Sequence, residues 1–174
     1  MSDLTPAPVR GPIVATGPVK AARALWLISF VLGLLAAYFI FLFRADQLDR
    51  LSELLTGLNT TQDAQTLRAL ATLLVWASLG ALVLVVAIES TLLVVMLRRH
   101  GWVRWVLLGV LVLHAGVWVV VDAVIVAPEE QVIYFGLLLL AQLVLASVAL
   151  ILSFFPGASE WFRAEHEAGR RGRG

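Results

Sequence analysis

The chain has 174 residues, 60% of them apolar and 14% charged, with a formal net charge of +1. A water-soluble globular domain carries about 45–50% apolar and about 25% charged residues, so this composition, with a mean hydropathy of +0.92, excludes one and excludes a disordered chain. There is no cysteine, which removes disulfides, thiolate metal sites, iron–sulfur clusters and cysteine redox chemistry and leaves a small polytopic membrane protein.

The first stretch, residues 1–20, holds Pro6, Pro8, Pro12 and Pro18 without apolar periodicity. It is expected to be a flexible cytoplasmic tail. A membrane domain over 21–158 follows. A helix needs about 20 mostly apolar residues to cross about 30 Å of hydrocarbon, and four stretches qualify, at about 24–43, 71–97, 102–126 and 132–155. Each must be helical, because lipid satisfies no backbone group; the alternating segments of a β-barrel do not occur. The first span is too long for a signal-peptide core, and no small-residue cleavage pattern follows it, so it reads as an uncleaved anchor. The expected fold is all-α, a four-helix transmembrane bundle.

Between the first two spans, Leu48, Leu51, Leu54, Leu55 and Leu58 recur at helical spacing among Asp46, Asp49, Arg50 and Glu53. That pattern predicts a short amphipathic helix lying on the outer membrane surface. Residues 57–61 break it, and Thr60 or Thr61 is expected to cap the helix that enters span two. Asn59-Thr60-Thr61 matches a glycosylation acceptor, inert in a bacterial host. Short links join the other spans. Pro128-Glu129-Glu130 is a helix start, since Pro suits the first turn and the acids complement the dipole. Pro156-Gly157 stops span four. Ser159 is then placed to cap a brief interfacial helix bearing Trp161 and Phe162, within an interfacial and basic tail over 159–174.

Orientation follows from the basic residues. Arg10, Lys20, Arg23, Arg98, Arg99, Arg104, Arg163, Arg170, Arg171 and Arg173 fall on one side, and Arg44, Arg50 and Arg68 on the other. Both termini are expected in the cytoplasm, with the protein in the inner (plasma) membrane. Trp26, Trp102, Trp105 and Trp161 fall at the inner boundary, where an aromatic belt belongs. Arg98, Arg99, Arg104, Arg170, Arg171 and Arg173 are candidates for contact with anionic lipid headgroups, although topology alone accounts for their side.

Ionisable residues inside a membrane are costly and are functional candidates by default. At 1.5 Å per residue, Glu89 lies about 12 Å, His114 about 18 Å and Gln142 about 20 Å from the inner boundary. These depths bring the three side chains within reach of one another near mid-membrane. Ser78 lies eleven residues before Glu89 and shares its face. Gln131, Gln142 and Ser153 repeat at the same interval on span four, with Ala146 and Ala149 between the last two. Small residues are expected to allow close helix contact at Gly33, Ala36 and Ala37 on span one and at Ala77, Gly80 and Ala81 on span two. Two readings of Glu89 and His114 stand side by side. One is a proton-coupled pair; the other is a neutral hydrogen bond that fixes helix register. Asp122, about one turn from the outer end of span three, is a secondary candidate that reaches the outer interface or a basic partner.

Enzyme readings find no inventory. A bis-histidine haem needs paired intramembrane histidines. A metal site needs more ligands than His114, Glu89 and the distant Asp122 offer. No phosphate loop, nucleophile elbow or zincin motif occurs. No cofactor is expected, nor nucleic-acid binding.

The stretch from Arg98-Arg99-His100-Gly101 through Trp102-Val103-Arg104-Trp105, with Phe154-Phe155-Pro156-Gly157-Ala158 before Trp161-Phe162-Arg163, resembles the link and C-terminal end of uncharacterised four-span actinobacterial integral membrane proteins. The resemblance covers the four-span layout and implies a bacterial host and a layout, not an activity. Small multidrug exporters also combine four spans with a membrane glutamate. Theirs lies in the first span of a shorter chain and Glu89 lies in the second, so that function is not carried over. The function expected is a non-catalytic integral membrane protein, an accessory subunit or small cell-envelope protein with membrane lipids and a partner subunit or second copy around it. The alternative is a proton-coupled transporter or channel using Glu89.

Overall fold

A computed structural model describes residues 17–58, 62–98, 100–124 and 129–159. Five helices follow one another: α1 (Gly17–Leu42), α2 (Arg44–Leu58), α3 (Ala64–Leu97), α4 (Val103–Val124) and α5 (Glu129–Ser153). No strand occurs among the described residues. α1, α3, α4 and α5 are long and apolar enough to cross a membrane, so the chain is an all-α integral membrane protein. α1 packs on α5 and α3, and α4 packs on α3 and α5, which closes the four spans into a ring.

Several boundaries differ from those read from the sequence. α1 starts at Gly17, so residues 17–20 belong to the first span and not to the tail. Pro18 sits in the first turn, where its missing N–H costs nothing, and Val19 and Ala22 are buried. The remaining tail positions, 1–16, lie outside the described residues. α3 is capped by Asp63, whose Oδ1 accepts the Thr66 N–H at 2.6 Å; Thr60 and Thr61 lie outside the described residues. A carboxylate complements the helix dipole as a hydroxyl cannot, which favours this later start. Ser159 is the last described residue; it lies in a helical turn over residues 156–159, and its N–H bonds to the Phe155 carbonyl at 3.0 Å. Trp161 and Phe162 lie outside the described residues.

The amphipathic α2 divides its apolar face: Leu51 is buried, while Leu54 and Leu58 remain exposed. α3 has 34 residues, about 51 Å at the helical rise, against about 30 Å of hydrocarbon. Its first turns therefore overhang, and α2 covers them: Leu51 packs with Ala71 and Val75, flanked by Leu48, Leu55 and Leu74. Asp49 and Arg68 join the two helices at 3.2 Å on the exposed side. Hydrogen bonds from Thr66 hold the Asp63 carboxyl below its usual range. The lowered folded value means that the cap acts fully above the ordinary carboxylate range and is lost as pH falls through the lower value. Asp63→Ala should speed amide exchange at Thr66 and the first turn of α3, with Asp63→Asn close to wild type; equal exchange in both variants removes the cap.

Two apolar clusters fill the ring. One, at the α3–α4 link end, contains Trp26, Phe30, Leu93, Met96, Leu107 and Leu150. The other, at the α2 end, contains Ala36, Ile40, Leu82, Val121, Phe135 and Leu139. Trp26 is thus a core residue and not part of an interfacial belt. It shares the inward stripe of Ala22, Phe30 and Gly33, and its ring lies tilted against that of Phe30 at 5.6 Å. Trp102 and Trp105 are exposed, as a belt requires. Ala77 and Gly80 also correct the sequence reading: both face outward, and nothing lies within 4 Å of a Cβ built at Gly80. At 100° per residue, Gly80 is turned some 200° from Ser78, so α3 can bury only one of those faces. It buries Ser78 and Glu89, because exposing a carboxyl to lipid costs more than exposing glycine.

Candidate functional site

Each transmembrane helix brings one polar side chain to the middle of the ring. α3 contributes Glu89, α4 His114, α5 Gln142 and α1 Ser29, with relative exposures of 0%, 1%, 0% and 0%. On α4 and α5 these positions fall between the two apolar clusters, whereas Ser29 and Glu89 lie among residues of the first. A group placed there has neither water nor interfacial headgroups to bond, so its partners must come from other helices.

Glu89 Oε1 and His114 Nδ1 are 2.8 Å apart and share one hydrogen bond between α3 and α4. The bond removes two of the most costly groups a membrane interior can hold from an apolar surround. Among the described residues no three of His, Cys, Asp and Glu come together, so no further side chain of these types stands beside the pair.

Gln142 occupies the seam between α5 and α1. The Ser29 hydroxyl donates to its backbone carbonyl at 2.9 Å, and its amide rests on Gly33. A Cβ at residue 33 would stand 2.7 Å from Cδ and 2.9 Å from Oε1 of Gln142, inside contact distance. Ser29 and Gly33 were not singled out as site residues from the sequence. The available signal was that Ser29 is the one serine in span one and falls four residues before Gly33, one turn away on the same stripe.

Two contacts set the register of α4 against α5. Arg104 Nη1 donates to the Ser153 carbonyl at 3.0 Å, and Asp122 Oδ1 lies 3.8 Å from a Cβ built at Gly136. Interpolated between these contacts, the antiparallel pair brings His114 between Leu143 and Val144, within about half a turn of Gln142. The three residues picked out by depth thus occupy one layer. Ser78 is buried but lies three turns of α3 from Glu89, outside the layer. Asp122 is exposed in the last turn of α4, about 12 Å along the axis from His114.

The basic candidates divide. Arg98 is exposed at the end of α3. Arg104 is half-buried and turned inward: besides Ser153 it reaches the Ser159 hydroxyl at 3.1 Å and lies over the Phe154 ring at 5.2 Å. It satisfies a terminal carbonyl of α5 and so fastens α4 to α5. Arg99, Arg170, Arg171 and Arg173 lie outside the described residues. Arg104→Ala should therefore lower the melting temperature more than Arg98→Ala, read in detergent with and without anionic lipid. Equal losses that appear only with the lipid would return Arg104 to headgroup binding.

A groove of about 530 Å³ between α1 and α5 is walled by apolar residues including Leu35, Phe39, Phe43, Phe135 and Leu138. A second, of about 280 Å³, is lined by Ala87, Ile88, Thr91 and Leu92. Neither touches Glu89, His114 or Gln142. Comparison with protein-family models, with curated proteins and with solved structures finds no match to this chain.

Proposed function

We propose that the protein is a non-catalytic, multi-pass component of a bacterial plasma membrane, with both termini in the cytoplasm, acting as an accessory subunit or small envelope protein. The observation that carries this reading is the closure of the polar seam. Glu89 and His114 are paired at 2.8 Å with exposures of 0% and 1%, and Gln142 is equally buried. Chemistry on a substrate, or its passage, needs polar groups facing a chamber. Here Glu89 and His114 face each other, which suits helix register. The work then falls to the outer faces of the helices, toward lipid and toward a partner subunit or a second copy. Purification from the native host in mild detergent, followed by mass spectrometry, tests the reading. A stoichiometric partner supports it; substrate or ion movement by the pure protein in liposomes overturns it.

The second reading is a proton-coupled transporter or channel built on Glu89. It is favoured by one observation, that Glu89 Oε2 has no hydrogen-bond partner in the protein and so remains open to a proton or to water. Under this reading Glu89→Gln abolishes flux in liposomes while the protein still folds, and unchanged flux removes Glu89 from the mechanism.

A further inference from the structure

Three atoms in the closed seam have no hydrogen-bond partner in the protein: Oε1 and Nε2 of Gln142 and Oε2 of Glu89. Both residues are fully buried. An amide offers two donors and two lone pairs, and a carboxyl oxygen offers further lone pairs. In folded interiors such groups find a partner, either protein or ordered water. Lipid tails provide neither.

The register places the gap. His114 is bonded through Nδ1 to Glu89 and stands within about half a turn of Gln142 along the bundle, yet the Gln142 amide reaches no protein group. The amide cannot turn toward α1 either, because Gly33 already lies against it. What would fill the seam must be small, neutral, and both donor and acceptor. A cation would find one carboxyl already bound by an imidazole, with no other acid beside it among the described residues. An anion would meet that carboxyl.

We propose that the centre of the bundle is a binding site for water, held by the Gln142 amide on one side and the Glu89–His114 pair on the other. Buried water of this kind makes two to four hydrogen bonds to otherwise unpaired groups. The bound water completes a polar layer that runs from His114 on α4 through Glu89 on α3 to Gln142 on α5 and Ser29 on α1. One ligand thereby joins all four spans. The site is enclosed, so it is compatible with either functional reading and rests on neither.

Radiolytic hydroxyl-radical footprinting of the full-length protein in detergent tests it, since radicals formed from bound water oxidise the side chains beside it. His114 is expected to be modified. Met96, which is 2% exposed in the apolar cluster and intrinsically more reactive, is expected to be spared. No modification at His114 overturns the proposal, whatever happens at Met96. Modification of both also overturns it, because bulk solvent then penetrates the bundle and no enclosed site exists. Gln142→Leu provides the second reading: labelling of His114 is lost and the melting temperature falls. A variant that melts higher than wild type overturns the proposal, because an amide without water is only a cost to the fold. If that variant does not fold, the wild-type footprint decides alone.

Discussion

Replacing His114 by leucine is expected to destabilise the bundle by about 2 kcal/mol, and adding Glu89→Met to the same chain is expected to recover most of that loss. Removing one partner of a buried pair costs about 3–5 kcal/mol in soluble proteins. Interhelical hydrogen bonds in membranes measure about 0.6 kcal/mol on average and about 1.7 at most, because the unfolded chain also finds partners in the bilayer. The expected value lies between the two. His114→Leu removes more than a hydrogen bond: it leaves a carboxyl at 0% exposure with neither oxygen paired, since Oε2 is already without a protein partner. Glu89→Met removes that orphaned group and supplies a flexible apolar chain of similar size. Reversible unfolding of both single variants and the double variant, in mixed micelles, closes the cycle. Additive losses would mean that the two side chains do not stabilise each other, and their role would then move from register to proton handling.

Gly33 should respond steeply to size. Gly33→Ala is expected to cost about 1 kcal/mol and Gly33→Leu about 3 kcal/mol, the range found for overpacked cores. The added atoms would meet Gln142, whose Cδ lies 2.7 Å from the Cβ position. The end of a glutamine is flexible and in an open site would swing away at little cost. Here it is enclosed at 0% exposure, so the displacement is passed to the α1–α5 contact. Gly33→Ala combined with Gln142→Ser should recover the loss of the alanine variant. Gly80→Leu is the control. It adds the same bulk to a transmembrane helix, but on a face with nothing within 4 Å, and no loss is expected. If Gly33→Leu and Gly80→Leu unfold alike, glycine matters for helix flexibility rather than for the Gln142 seat.

How far the site could be read from the chain is clearest at three residues. Glu89, His114 and Gln142 stand out because a polar side chain in an apolar span is conspicuous, and the helical rise converts its position into a depth. Their common depth makes a shared layer an expectation; the Glu89–His114 bond joins two of the three, and the Gln142 amide is bonded to neither. Ser29 and Gly33 carry no such mark. A serine and a glycine are ordinary in a membrane helix, and only the approach of α1 to α5 turns them into the seat of Gln142. Trp26 read as interfacial because its distance from the end of the apolar stretch fits a belt; its direction around the helix, which puts it in the core, is set by which face meets the neighbours.

The number of spans and the helical state of each were determined by the sequence alone. One physical demand imposes both: about 30 Å of hydrocarbon, inside which every backbone group must be bonded within its own segment. Where α2 lies, which face of α3 is buried, what caps α3, and how Arg104 is spent were decided by the tertiary structure. Composition does not predict these, because α2 could cover lipid or protein with the same leucines and α3 could turn either Gly80 or Glu89 inward. The choice falls to whichever packing leaves the fewest polar groups facing hydrocarbon, and that is a property of four helices together.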